Sequence, residues 1–263
     1  MWSGPRNVST ALMRAWGSRR DTAVTDEPLY AAYLATTGKK HPARDAVLSS
    51  QPTDWREAAA RLTGPAPPAT PEASGAAASG AAASGAAAGP APIWYQKHMA
   101  HHLTPDVGRG WIGAFRHAFL IREPAAMLAS LTRVIPDARL EDTGLPQQVE
   151  LFERTADRLG HAPPVVDGRA LRAAPEPYLR ALCAALGVGW DPAMLAWAPG
   201  PRSTDGVWGP AWYGRLYETT GFEPPEASGA AAVPASVAPS VAPVLEAALP
   251  LYGRLAAHAL RAA

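Results

Sequence analysis

A single cysteine, Cys183, stands among the 263 residues, which excludes a disulfide within the chain and suits a reducing compartment, the cytoplasm being the default. The thiol lies in the helical pattern YLRALCAALGV, where a free cysteine serves as a small buried hydrophobe. An excess of charge is missing too. The 24 Lys and Arg against 23 Asp and Glu leave a formal net charge of +1, so no global basic field recommends nucleic acid or an anionic membrane as partner. No run reaches the roughly 18 apolar residues of a membrane span, and the opening MWSGPRNVST lacks the unbroken apolar core of a signal peptide. What is present, 48% hydrophobic and 18% charged residues, is enough for one α/β domain with a single core and a small molecule as its partner. Oligomeric state is not legible.

Two tracts are too biased to pack. Residues 65–92 carry SGAAA three times in tandem between proline-rich flanks, and read as a disordered surface insertion, because a glycine at every fifth position weakens helix and no side chain offers an anchor. Residues 223–243, rich in Pro, Ala, Ser and Val, read as a linker to a last helix at 244–260, whose Leu245, Leu249, Tyr252 and Leu255 recur at helical spacing. Elsewhere strand-like runs at 23–25, 93–96, 117–121 and 164–167 alternate with helical stretches at 28–37, 53–62, 125–134, 146–159 and 175–186. That order predicts a mostly parallel sheet in a three-layer α/β/α domain, with ligands at the carboxyl ends of the strands.

Loops that follow strands therefore matter most. Residues 3–10, SGPRNVST, place a Gly4-Pro5 turn, Arg6, Asn7 and the hydroxyls of Ser9 and Thr10 directly before a helix expected to begin near Ala11. Backbone N–H groups, the positive end of the helix dipole and a forked guanidinium suit an anion. The loop is not a Walker A motif, which needs Gly-x4-Gly-Lys-Ser/Thr. A second pairing stands in HAFLIREPAAMLASL, where Arg122 ends an apolar strand and Ser130 follows eight residues later, on a helix opened by Pro124. Guanidinium and hydroxyl at that distance can hold a bulky anion between them; the simpler alternative pairs Arg122 with Glu123.

Taken together these segments resemble the P-loop-like sulfotransferases, which use 3′-phosphoadenosine 5′-phosphosulfate (PAPS) as donor. PRNVST looks like that family's 5′-phosphosulfate loop, with Arg6 in the cationic position, Ser9 and Thr10 in the hydroxyl pair, and Asn7-Val8 where Ser-Gly is usual. Arg122 and Ser130 match its 3′-phosphate pair, spacing included. VVDGRAL, ALGVGWDP and PRSTDGVWGPAW are similar to its late strand, its Leu-Gly boundary and, loosely, the segment closing over the nucleotide, which would bring Arg202, Gly206 and Trp208 to the donor. The likeness is greatest to bacterial proteins with Trp-Ser-Gly-Pro-Arg-Asn, Asp-Glu-Pro and Gln-Lys-His-Met segments. It implies a P-loop NTPase-like fold, PAPS as donor with 3′-phosphoadenosine 5′-phosphate (PAP) as product, no metal, and a hydroxyl or amine acceptor that cannot be read.

Sulfuryl transfer needs stabilised charge and a base for the acceptor's proton. Arg6 is the leading charge stabiliser and Lys97 a second. Two residues compete for the base: Glu27 in TDEPLY, if burial raises its pKa, and His98 in YQKHMAHH, which titrates near neutrality untuned. His98, His101 and His102 also raise a metal cluster, disfavoured for want of a nearby cysteine or further ligand. An ATP-dependent phosphotransferase and a non-catalytic nucleotide-binding protein of the same fold are the alternatives.

Overall fold

The computed structural model describes residues 1–69, 89–225 and 238–262. Five parallel strands form its sheet: β1 (Trp2–Ser3), β2 (Thr22–Asp26), β3 (Ile93–Met99), β4 (Phe119–Ile121) and β5 (Val165–Asp167), in the order β2-β3-β1-β4-β5. The shortest strand thus lies at the centre. Two residues suffice for β1 because both neighbours engage it: Trp2 registers with His98 and Phe119, Ser3 with Met99 and Leu120, and the Met1 carbonyl accepts from His98 N–H at 2.9 Å.

The period of two along each strand sends alternate side chains to opposite faces. Trp2, Phe119, Ile121 and Val165 enter one core, covered by α5 (Pro124–Leu131), α6 (Leu145–Leu159) and α10 (Ala242–Ala256). Tyr95, Leu120 and Val166 enter the other, covered by α1 (Ser9–Gly17) and α8 (Pro175–Ala185). This is a three-layer α/β/α fold. Truncating a fully buried residue such as Leu128 or Leu182 to alanine would cost about 2–5 kcal/mol. Cys183 sits in the second core with its thiol 3.9 Å from Met194 Sδ.

Smaller elements complete the chain: α2 (Tyr30–Thr37), α3 (Arg44–Ser50), α4 (Trp55–Leu62), α7 (Gly168–Ala173) and α9 (Gly209–Trp212). Beyond β5 the chain after α10 lies against the sheet edge, Leu260 N–H donating to the Val165 carbonyl at 2.8 Å.

Several boundaries differ from the sequence reading. Helix α1 opens at Ser9, two residues before Ala11, and α10 opens at Ala242. Leu249 on α10 is 46% exposed, so Ala248 takes the core-facing place instead. The flanks of the 65–92 tract are packed: Ala91 N–H donates to the Pro67 carbonyl at 3.0 Å, and Ala69 and Ala91 are buried with Ala23. The middle of that tract, residues 70–88, and residues 226–237 of the second lie outside the described residues. No described helix is long and apolar enough to cross a membrane.

Candidate active site

The parallel strands bring the turns after β1, β2 and β4 to one edge of the sheet, where a cleft of about 580 Å³ opens. On one side stands the turn between β1 and α1. Asn7 Nδ2 donates to Ser3 Oγ (3.2 Å) and to the Leu120 carbonyl (3.0 Å), tying the turn to β1 and β4. Arg6 adopts a φ of 57°, a left-handed conformation that a side chain rarely takes. Its Nε donates to Ser130 Oγ at 3.0 Å, and Arg122 Nη1 donates to its carbonyl. Glu123 caps α5, accepting from the N–H groups of Ala125 (2.9 Å) and Ala126 (2.8 Å). No side chain caps α1, whose first N–H groups stay available to an anion. Burial and then the neighbouring Arg133 depress the Arg6 pKa, the mark of a cation short of negative charge. Arg172 and Arg215 also line this side.

The opposite side carries the carboxylates. Lys97 on β3 is 1% exposed, and its ammonium donates to Asp26 Oδ1 (2.8 Å), Glu27 Oε1 (2.7 Å) and the Tyr213 hydroxyl (2.8 Å), which uses all three of its protons. Burial would strip its charge, but Asp26 and Glu27 outweigh that and raise its pKa. Glu27 follows β2 with a φ of 39°, a strained turn held by its own N–H on the Lys97 carbonyl (2.9 Å) and by Gln51 Nε2 on its carbonyl (3.1 Å). Burial raises the Glu27 pKa, Lys97 opposes the rise and Asp26 adds to it; the net direction is up. An aromatic wall continues the cleft, with His102 stacked on Tyr30 and Tyr33 at 4.8 Å from each. Burial pushes the His41 imidazole down to about 4, His101 to about 3 and His102 well below the usual range, so this wall is neutral at physiological pH.

Of the residues singled out from sequence, Pro5, Arg6, Asn7, Ser9, Thr10, Glu27, Lys97, Arg122 and Ser130 line this one cleft. Gly4, His98, Arg202, Gly206 and Trp208 do not. Gly4 is a packing glycine, since a Cβ there would meet the Thr143 carbonyl oxygen at 2.4 Å. His98 neighbours Lys97 on a strand and so points to the opposite face, stacked on the Trp2 indole at 4.3 Å with Nε2 3.1 Å from Gln96 Oε1. Burial, the chain's amino terminus and His117 hold its pKa well below the histidine range. Gly206 and Trp208 serve the wall from behind: Gly206 N–H donates to Asp26 Oδ2 (3.2 Å) and Trp208 Nε1 to the Tyr213 hydroxyl (2.8 Å). Arg202 donates its backbone N–H to Asp205 Oδ2 (2.9 Å), and Asp205 pairs with the buried Arg14 at 2.7 Å. The 201–213 segment therefore buttresses the cleft from behind, Gly206 through Asp26 and Trp208 through Tyr213.

Asp26 and Tyr213 went unnoticed in the sequence. Asp26 had a signal, an acidic neighbour of Glu27 at a strand end; Tyr213 had none. Among the described residues no three His, Cys, Asp or Glu side chains are grouped to hold a metal ion.

A sequence model of the sulfotransferase domain matches residues 1–73 and 71–259, so the chain belongs to the sulfotransferase-domain family. Two Arabidopsis thaliana proteins are similar to nearly its whole length. Branched-chain-amino-acid aminotransferase-like protein 1 is 34% identical over 257 residues, covering 98% of this chain and 41% of the plant protein. Branched-chain-amino-acid aminotransferase-like protein 2 is 30% identical over 259 residues, again 98% and 41%. The chain thus spans about two fifths of these relatives. No solved structure matches significantly.

Proposed function

We propose that the protein transfers a sulfuryl group from PAPS to a hydroxyl or amine of a small-molecule acceptor. The observation that carries this reading is the Arg6 Nε to Ser130 Oγ bond of 3.0 Å. It joins the anion-binding turn after β1 to the helix after β4, within a cleft that also holds a buried carboxylate. The residues suit a doubly anionic nucleotide: Arg122 and Ser130 take the 3′-phosphate, while the turn, Ser9, Thr10 and the start of α1 take the 5′-phosphosulfate. Arg6 lies between and balances charge at the leaving phosphate.

Glu27 is the base. Its Oε2 accepts the acceptor's proton as the acceptor atom bonds to sulfur and the bond from sulfur to the phosphate oxygen breaks, the electron pair leaving with PAP. Lys97, with every N–H engaged, acts on Glu27 rather than on the donor. His98 faces the other core and cannot take the proton. The plant relatives' aminotransferase-like name supplies no second reading. Lys97 is the buried lysine among the described residues, and its ammonium is saturated by Asp26, Glu27 and Tyr213 rather than open to a carbonyl. A cytoplasmic setting fits a chain whose sole thiol is buried and unpaired.

Calorimetry with PAP, ADP and ATP tests the donor. PAP should bind far more tightly than ADP, since it alone offers a 3′-phosphate. Equal affinities for PAP and ADP would sink the assignment, and preferred binding of ATP with Mg²⁺ would favour phosphoryl transfer.

A further inference from the structure

Two adjacent carboxylates share one lysine, yet only one of them reaches the cleft. Asp26 is 5% exposed and both of its oxygens are occupied: Oδ1 by Lys97 Nζ at 2.8 Å, Oδ2 by the Tyr213 hydroxyl at 2.8 Å and Gly206 N–H at 3.2 Å. Tyr213 accepts from Lys97 and from Trp208, so its single proton goes to the nearer carboxylate; Glu27 Oε1 is farther, at 3.3 Å. Glu27 spends Oε1 on Lys97, and its Oε2 receives no hydrogen bond from a described residue, with His102 Nε2 standing 4.0 Å away.

A lone Lys–Glu pair in a buried site makes a poor base, because the cation stabilises the carboxylate it touches. Here the positive charge is divided. We propose that Asp26 is a positioning residue: it draws the Lys97 ammonium toward itself, with Tyr213 fixing the geometry, and so keeps Glu27 basic enough to take the acceptor's proton. Glu27 is faced by Asp26 from β2, Lys97 from β3, Tyr30 from α2, His102 from the turn after β3 and Tyr213 from the chain after α9. Of these, only Asp26 acts on Glu27 as a like charge, since burial holds both tyrosines protonated and His102 neutral.

The role as base rests on the sulfotransferase reading, but the charge sharing can be measured without a donor. The titration of Glu27 is followed by NMR of the free protein labelled with ¹³C at glutamate carboxyls, the resonance being assigned with Glu27→Gln. Asp26→Asn should lower the midpoint by about one pH unit or more, the scale for loss of an adjacent like charge. Asp205→Asn breaks the pairing with Arg14 that holds the same segment but leaves the shared ammonium intact, and should leave the midpoint in place. An unchanged midpoint in folded Asp26→Asn, or an equal fall in Asp205→Asn, overturns the proposal. Should Asp26→Asn fail to fold, Tyr213→Phe decides: with the hydroxyl's hydrogen bonds to the carboxylates gone, Asp26 holds the shared ammonium more strongly and the midpoint should rise by roughly a few tenths of a unit, whereas no movement or a fall counts against the idea. PAP failing to bind would sink the transferase reading alone and leave these titrations standing.

Discussion

The two sides of the cleft are built on opposite principles. The arginine side is partly open, and there Arg6 is repelled by Arg133 while its guanidinium, among the described residues, bonds a neutral hydroxyl. The carboxylate side is buried and nearly self-sufficient, with all three Lys97 protons and both Asp26 oxygens engaged. One side waits for a ligand to supply its counter-charge; the other is assembled before any ligand arrives. Desolvation is costly unless polar groups are paired, which is why the closed side can be buried and the open side cannot.

The sharpest way to break this comparison is at Glu27. Glu27→Gln should keep the fold and PAP affinity while turnover of PAPS, or its slow hydrolysis if no acceptor is at hand, falls by about 10²–10⁴. A parallel loss of PAP affinity would show that the sides are not separate. Arg6→Ala is expected to lower kcat by about 10²–10³ with a smaller effect on PAP binding, and Arg6→Lys to recover part of it, because the charge returns without the fork. Wild-type rates in folded Arg6→Ala would remove the turn from the reaction. Arg122→Ala should cost PAP roughly 2–3 kcal/mol and leave ADP almost unaffected; an unchanged ratio of the two affinities would make Arg122 a support for the Arg6 carbonyl and nothing more.

The smallest effect is on stability. His41 and His101, near Asp142 and Lys39, with their pKa values held by burial at about 4 and about 3, stay neutral in the fold while the unfolded chain takes up protons below about 6.5. Unfolded protein then binds more protons than native, so stability is full above about pH 6.5 and declines as pH falls toward 4, by on the order of 1 kcal/mol per unit per histidine. The half-buried His41 contributes less than the buried His101. Melting temperatures at pH 7.5 and 5 in wild type and His101→Gln test this. The variant should lose less on acidification, and identical losses would show that His101 is not responsible.

Much of the architecture was legible because it is local. Alternating strand and helix patterns, the Gly-Pro-Arg turn ahead of α1 and the eight-residue step from Arg122 to Ser130 all lie within short windows, and their meeting at one sheet edge follows from parallel strands. His98 is misplaced because the sequence reading ends the strand at Gln96, whereas β3 runs on to Met99; adjacent strand residues face opposite ways, so Lys97 and His98 cannot both look into the cleft. Trp208 gave no warning, since an indole that stacks on a ligand and one that buttresses a tyrosine read alike in sequence. The partnership of Asp26 with Tyr213 spans 187 positions, and no spacing rule connects them before the chain folds.

The left-handed backbones at Arg6 and Glu27 carry a consequence for anyone who would improve this protein by selection. Each is a conformation in which a side chain costs on the order of 1 kcal/mol that glycine does not incur. A search that rewarded heat resistance alone would be drawn to glycine at Arg6, whose side chain bonds a hydroxyl, but not at Glu27, whose loss would leave the buried Lys97 ammonium short of a carboxylate. It would erase the guanidinium proposed to face the donor, and the hardier protein would have lost the residue on which that proposal depends.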